Sequence, residues 1–388
     1  MIGAGVFAVL APAAAAAGSG LLLGLAAAAL VAYCNATSSA RLAVRYPESG
    51  GTYVYGRERL GEFWGYLAGW SFVVGKTASC AAMALTVGYY LWPGQAHVVA
   101  VVAVLALTAV NYVGVQKSAL LTRVIVVAVL LVLAAVVVVS LTSHQADAAR
   151  LNIGADAGVA GVLQAAGLLF FAFAGYARIA TLGEEVVNPA RTIPRAILVS
   201  LGIALAVYAA VAVAVLAVLG ADDTAAAAAP LADAVRAAGV PGLVPVVRTA
   251  AVMAALGSLL ALLLGVSRTT LAMARDRHLP HTLATVHPRF GVPHHAELAV
   301  GAVVAVLAAT ADIRGAIGFS SFGVLVYYAI ANAAAWTLTP AEGRPVRIVP
   351  ALGVAGCLTL AFALPVTAVV AGATVLAVGG LGYLVRRH

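Results

Sequence analysis

Apolar runs near the ~20 residues that cross a bilayer recur along almost the whole chain, and the charges gather in the short stretches between them. The runs fall at about 1–15, 20–42, 63–92, 97–115, 118–141, 159–183, 195–220, 246–274, 294–312, 315–337, 349–365 and 367–385, which predicts twelve helical segments. The first is too short to span. It lacks the positive stretch that precedes a signal-peptide core, so it reads as a helix whose first half is missing. Alternating segments of the kind that build a transmembrane β-barrel do not stand out. The pattern specifies an all-α polytopic membrane protein.

Two segments break their own pattern. Ile2-Gly3-Ala4-Gly5-Val6-Phe7 opens the first, and Phe170-Phe171-Ala172-Phe173-Ala174-Gly175-Tyr176 lies inside the sixth. Each sets small or helix-breaking residues in an apolar run and ends in an aromatic. Unwound backbone at membrane depth is tolerated only where protein buries it or where it lines a cavity. Interrupted helices at corresponding places of two halves point to a transporter's binding site. In Gly3-Ala4-Gly5, N–H groups ahead of a helix start would attract a carboxylate. The alternative is a small-residue pair that only lets helices pack closely. A break near Ala172–Gly175 would free carbonyls for an ammonium group; its alternative is an aromatic packing stripe.

Composition supports the membrane reading: 63% of the 388 residues are hydrophobic and 9% charged, with mean hydropathy +1.05. The formal charge of +8 is no sign of nucleic-acid binding, because the basic residues sit in alternate short loops. One side collects Arg41, Arg45, Arg57, Arg59, Lys117, Arg123, Arg191, Arg195, Arg268, Arg275, Arg277, Arg289, Arg344, Arg347, Arg386 and Arg387. The other holds Arg150, Arg236, Arg248 and Arg314, so the first side, with the C-terminus, is expected in the cytoplasm. Twenty arginines against two lysines suggest a GC-rich bacterial genome and hence an inner membrane. Cys34, Cys80 and Cys357 lie far apart in apolar segments and read as packing residues.

The loop from Arg275 to Pro293 is too charged and proline-rich to enter lipid, whereas Gly220 to Pro245 is expected to form a short broken helix over the outer face. His278, His281, His287, His294 and His295 have irregular spacing with prolines between them, so a solvated loop is favoured over a metal site. No Ser/His/Asp or Cys/His set gathers near one depth, which argues against an enzyme. No cofactor is implied.

Further motifs complete a pattern. Tyr46-Pro47-Glu48-Ser49-Gly50-Gly51-Thr52-Tyr53-Val54-Tyr55 follows the second segment, and Asn111-Tyr112-Val113-Gly114-Val115 closes the fourth. Glu184-Glu185-Val186-Val187-Asn188-Pro189 and Thr192-Ile193-Pro194 follow the sixth, and Ser267-Arg268 through Leu279-Pro280 ends the eighth. In this order and spacing the chain resembles the amino acid–polyamine–organocation superfamily, in particular its bacterial cationic-amino-acid-transporter-like permeases. The resemblance implies a five-plus-five inverted repeat (about 1–141 and 159–337) followed by two extra helices (about 349–385). It also implies a site built from Met1, Ile2, Gly3, Ala4, Gly5, Phe171, Ala172, Phe173, Ala174 and Gly175. The substrate carboxylate would meet the N–H groups of Ala4 and Gly5. The ammonium would meet carbonyls of Met1, Phe171, Ala172 and Ala174, with Phe171 as an aromatic gate.

Three departures bear on what is carried. Where proton-coupled relatives have a lysine in the fifth helix, this chain has Val129. Where cationic-amino-acid members have a glutamate in the third, it has Gly75, followed by Lys76. Where an acid often follows the Gly-aromatic pair in the sixth, it has Ala177, followed by Arg178. Lys76 and Arg178 are the charges most clearly inside apolar segments, and an intramembrane charge is a functional candidate by default. Lys76 reads equally as a proton carrier and as a structural lysine on the carbonyls of a broken helix. Arg178 reads as a latch to Glu184 or Glu185. The expectation is a secondary active permease for neutral amino acids, with the proton as coupling ion. Its rival is a sensor or truncated homologue that keeps the fold without transporting.

Overall fold

The computed structural model describes residues 2–46, 50–114, 119–154, 157–176 and 188–387, and among these the regular structure is helical throughout. Met1, Lys117, Ala177, Arg178, Glu184 and Glu185, all named above, lie outside the described residues.

The first apolar run is a bent helix, α1 (Gly5–Ala8) and α2 (Leu10–Ala17). Bonds from Val9 N–H to Gly5 O (3.0 Å) and Ala13 N–H to Val9 O (3.1 Å) carry the ladder across the bend. Gly18, at φ 56°, ends it. There follow α3 (Leu21–Arg45), the short α4 (Thr52–Leu60), α5 (Glu62–Leu91), α6 (Ala96–Tyr112), α7 (Ala119–Thr142) and α8 (Val159–Phe173). The second half holds α9 (Pro189–Ala226), α10 (Pro230–Ala237), α11 (Val244–Arg275), α12 (His294–Thr310), α13 (Ile313–Trp336), α14 (Ile348–Ala363) and α15 (Val366–Arg387). Among the described residues eight spans are long and apolar enough to cross a membrane; α8, α12 and α14 are shorter apolar helices.

Apart from the sixth run, whose helix ends at Phe173, and the seventh, the hydropathy boundaries from 20–42 onward match these helices to within a few residues, because a helix leaves lipid where its side chains turn polar. The 195–220 run extends at both ends. Pro189 supplies a helix-ready φ at the first position, and the helix continues to Ala226 through a kink at Gly220 (φ 76°). α10 is the short helix expected between Gly220 and Pro245. Asp312 caps α13 by accepting from the N–H groups of Arg314 (2.9 Å) and Gly315 (3.2 Å), a contribution of about 1 kcal/mol.

Lipid offers no hydrophobic drive between helices, so small residues and buried polar pairs hold the bundle. α5 and α13 are its most enclosed spans. They approach closely where Gly75 meets Gly323: a Cβ on Gly75 would sit 3.3 Å from the Gly323 Cα. Ser38 Oγ donates to Asn332 Oδ1 (2.7 Å), Asn332 Nδ2 to Asn35 Oδ1 (2.6 Å) and Cys357 Sγ to the same oxygen (3.3 Å), tying α3, α13 and α14 together. All three cysteines are buried and free.

The helices alternate between two ends. At the arginine-rich end, α4 lies against the ends of α11 and α13. At the opposite end Ser19 Oγ donates to Asn152 O (2.8 Å), and Arg314 donates to Ala225 O (2.6 Å).

Candidate functional site: a cavity between two broken helices

The two interruptions meet. α8 gives way after Phe173 to a 3₁₀ turn over Ala174–Tyr176, and Gly5 at the start of α1 lies directly against it. A Cβ on Gly5 would come within 2.7 Å of the Ala172 Cα. Gly5 therefore serves the close packing that was the alternative reading of this motif, and it also lines the space beside it.

That space is a cavity of about 190 Å³. Ile2, Gly3, Ala4 and Gly5 form one wall and Phe171, Ala172, Ala174 and Gly175 another. Phe72, Lys76, Ser79 and Met83 of α5 form a third, and Ser258, Ala261 and Leu262 of α11 close it. Eight of the ten positions expected at a substrate site thus face one cavity, together with Lys76. Phe173 does not: it is fully buried, edge-on to Tyr208 with ring centroids 5.3 Å apart. The α5 and α11 residues other than Lys76 were not singled out from sequence. A signal existed for α5, since 72, 76, 79 and 83 follow one helical stripe through Lys76. For α11 there was none before folding set it alongside.

The cavity is polar at few points. The first turn of α1 leaves N–H groups without intrahelical partners at its edge. Ser79 and Ser258 bring hydroxyls. Lys76, 5% exposed, is the one charged residue among the described residues that line it, and no acid does. Its Nζ donates to Ala174 O at 3.1 Å, and Tyr208 Oη donates to Ala172 O at 3.1 Å. Two carbonyls expected to receive an ammonium group are thus engaged by side chains. Gly75, where a glutamate was expected from the cationic-amino-acid members, faces Gly323 in the α5–α13 contact. A side chain there would enter helix packing.

Toward the arginine-poor end lies a second cavity of about 240 Å³, lined by Phe7, Ala8, Ala11 and Pro12 of the first helix, by Thr86, Tyr89 and Tyr90, and by Asp312–Arg314. Between the two cavities Tyr90 Oη donates to Phe7 O (3.2 Å), with the rings edge-on at 5.6 Å.

At the arginine-rich end, polar bonds hold the fold closed. Tyr53 Oη donates to Asp276 and contacts His278 Nδ1 at 2.9 Å, and Arg57 pairs with Asp276 at 3.3 Å. Burial holds His278 below the ordinary imidazole value. Arg59 grips both oxygens of Glu342 at 3.0 Å. The Thr339 backbone N–H and then Arg59 hold the Glu342 carboxyl down at about 2. Among the described residues no group of three or more His, Cys, Asp and Glu side chains is placed to hold a metal ion.

A helical membrane bundle with a cavity between its helices, beside the point where α8 passes into a 3₁₀ turn, fits a carrier-type transporter. The chain belongs to the amino acid permease family, whose model matches residues 1–385. It is 75% identical over its whole length to the uncharacterized transporter Rv1999c of Mycobacterium tuberculosis, covering 88% of that protein. It is 26% identical to the branched-chain amino acid permease BcaP of Bacillus subtilis, over 93% of this chain and 84% of that one. To the human cationic amino acid transporter 4 it is 29% identical, over 80% of this chain and 53% of that one.

Proposed function

We propose that this transporter is a secondary active permease for neutral amino acids, coupled to the proton gradient across a bacterial inner membrane, with its C-terminus in the cytoplasm. The observation that carries the substrate class is the cavity's charge: among the described residues its lining holds one lysine, no acid and otherwise mostly apolar walls. A substrate carboxylate is drawn to the N–H groups at Gly3–Gly5 and to Lys76. An apolar side chain suits Phe72, Met83, Ala261 and Leu262. A cationic side chain finds no partner and meets Lys76; two unit charges 4 Å apart at an effective dielectric of ~20 repel by about 4 kcal/mol. The branched-chain permease relative fits this reading better than the cationic transporters do.

Transport proceeds by alternating access, one repeat (about 1–141) rocking against the other (about 159–337) around the midplane cavity, with the last two helices outside the repeats. Phe7 and Tyr90 close the route on the outer side. The α4 contacts to Asp276, His278 and Glu342 close it on the cytoplasmic side, where sixteen of the basic residues gather. Lys76 carries the coupling proton: it is buried, it lines the cavity, and it holds the carbonyl of the broken helix, so substrate arrival and its own protonation act on one bond.

The test is reconstitution in liposomes with labelled amino acids, with and without an inward proton gradient. The parent should accumulate neutral amino acids only with the gradient and take up arginine or lysine weakly. Lys76→Ala should keep exchange and lose gradient-driven accumulation. Strong arginine uptake by the parent overturns the substrate class; unchanged accumulation by the variant reduces Lys76 to a structural lysine.

A further inference from the structure

Glu297 stands in the first turn of α12, a place where a carboxylate ordinarily serves the helix by facing its free N–H groups and water. Here it does not reach water: it is 2% exposed, and neither carboxyl oxygen has a hydrogen-bond partner. α12 packs against α5, α6, α11 and the short turn His281–Ala284. From α6 comes Asn111, whose amide donates to Leu260 O at 3.2 Å and also lies beside the Glu297 carboxyl. From α11 comes Arg268, which acts on the carboxyl through its field. Among the described residues, α5 brings no charge to bear on it. On the loop side lie His281, His287, His294, His295 and Tyr112. His287 and His294 are edge-on at 5.2 Å, Tyr112 is edge-on to His294 at 6.1 Å, and His295 Nδ1 is bonded to Thr282 O at 2.8 Å.

A buried carboxylate with neither oxygen in hydrogen-bond geometry carries a desolvation cost that a cation acting only through its field does not offset. The neutral acid avoids most of that cost. We infer that Glu297 is a proton-binding site, occupied at neutral pH and filled from the arginine-rich end, separate from the cavity and from Lys76. When the proton leaves, the new charge draws on Arg268. Arg268 lies on the helix that carries Ser258, Ala261 and Leu262 of the cavity wall, so the occupancy of this site and the shape of the cavity are linked in both directions. The assignment of the proton does not rest on the cavity being the substrate site.

Infrared spectra of the chain in lipid bilayers, with no substrate added, test it directly. At neutral pH the parent should show the carbonyl stretch of a protonated carboxylic acid. The band should shift in deuterated buffer and with ¹³C-labelled glutamate carboxyls, and vanish at alkaline pH. Glu297→Gln, close to the same shape, should lack the band at every pH. A parent with no such band at neutral pH overturns the proposal, as does a Glu297→Gln protein that keeps it. If that variant fails to insert, Glu297→Leu serves in its place. If both fail, the parent decides, since a band that ignores the glutamate label also overturns the proposal.

Discussion

Lys76 Nζ donates to the Ala174 carbonyl oxygen at 3.1 Å, so a side chain from α5 holds the backbone at the point where α8 comes apart. The bond has two consequences. It satisfies an acceptor that the broken helix sets free, and it places a cation where a substrate ammonium would otherwise be received.

Removing that cation should relax the site's rejection of positive side chains. In Lys76→Met, the ratio of arginine to leucine-class binding, measured by competition on purified protein, should rise by at least tenfold. A ratio that stays as in the parent would place Lys76's charge away from the ligand.

Gly5 and Gly3 should respond differently to a methyl group. Gly5→Ala drives a Cβ into the Ala172 backbone, which cannot step aside, so a loss of about 1–3 kcal/mol is expected. At Gly3 the obstacle is the Ser258 hydroxyl. Gly3→Ala should therefore be destabilised in thermal unfolding and largely recovered by adding Ser258→Ala, while Gly5→Ala is not. Equal behaviour of the two glycines would mean that the packing of the first helix differs from that described.

Acid should loosen the arginine-rich end in a defined window. Glu342 is held at about 2 in the fold, against about 4.3 in an unfolded chain. A depressed carboxyl stabilises the fold above the unfolded value, and that stabilisation is lost as pH falls toward the folded value. The melting temperature of the parent should thus decline as pH drops below about 4.3, and Glu342→Gln should flatten that decline. Parallel curves for parent and variant would show that Arg59 and Thr339 do not grip the carboxylate in solution.

Most helices were legible in the sequence because lipid makes hydrophobicity and chain path nearly the same thing. The run 63–92 became α5 over Glu62–Leu91. The end of α8 after Phe173 was legible too, since Gly175 sets a poor helix former inside an apolar run. What the sequence concealed was contact at a distance. Ser258 and Leu262 carry no local sign of a site until α11 stands beside the first helix and α8. Gly75 looked like a missing acid in the site, yet its place is the contact with Gly323. Glu297 drew no reading from sequence, and only the fold reveals it buried against α6 and α11. His278 read as part of a solvated loop, although with Tyr53 and Asp276 it joins α4 to the end of α11.

The central claim is that a neutral amino acid binds in the cavity between the two broken helices. Ala261 lies on the cavity wall contributed by α11, and a phenyl ring there would occupy the space. Equilibrium binding of labelled neutral amino acids to purified parent and Ala261→Phe, at matched folded protein, tests the claim most directly. The account predicts binding by the parent and at least a tenfold weaker affinity in the variant; equal affinity in both would contradict it.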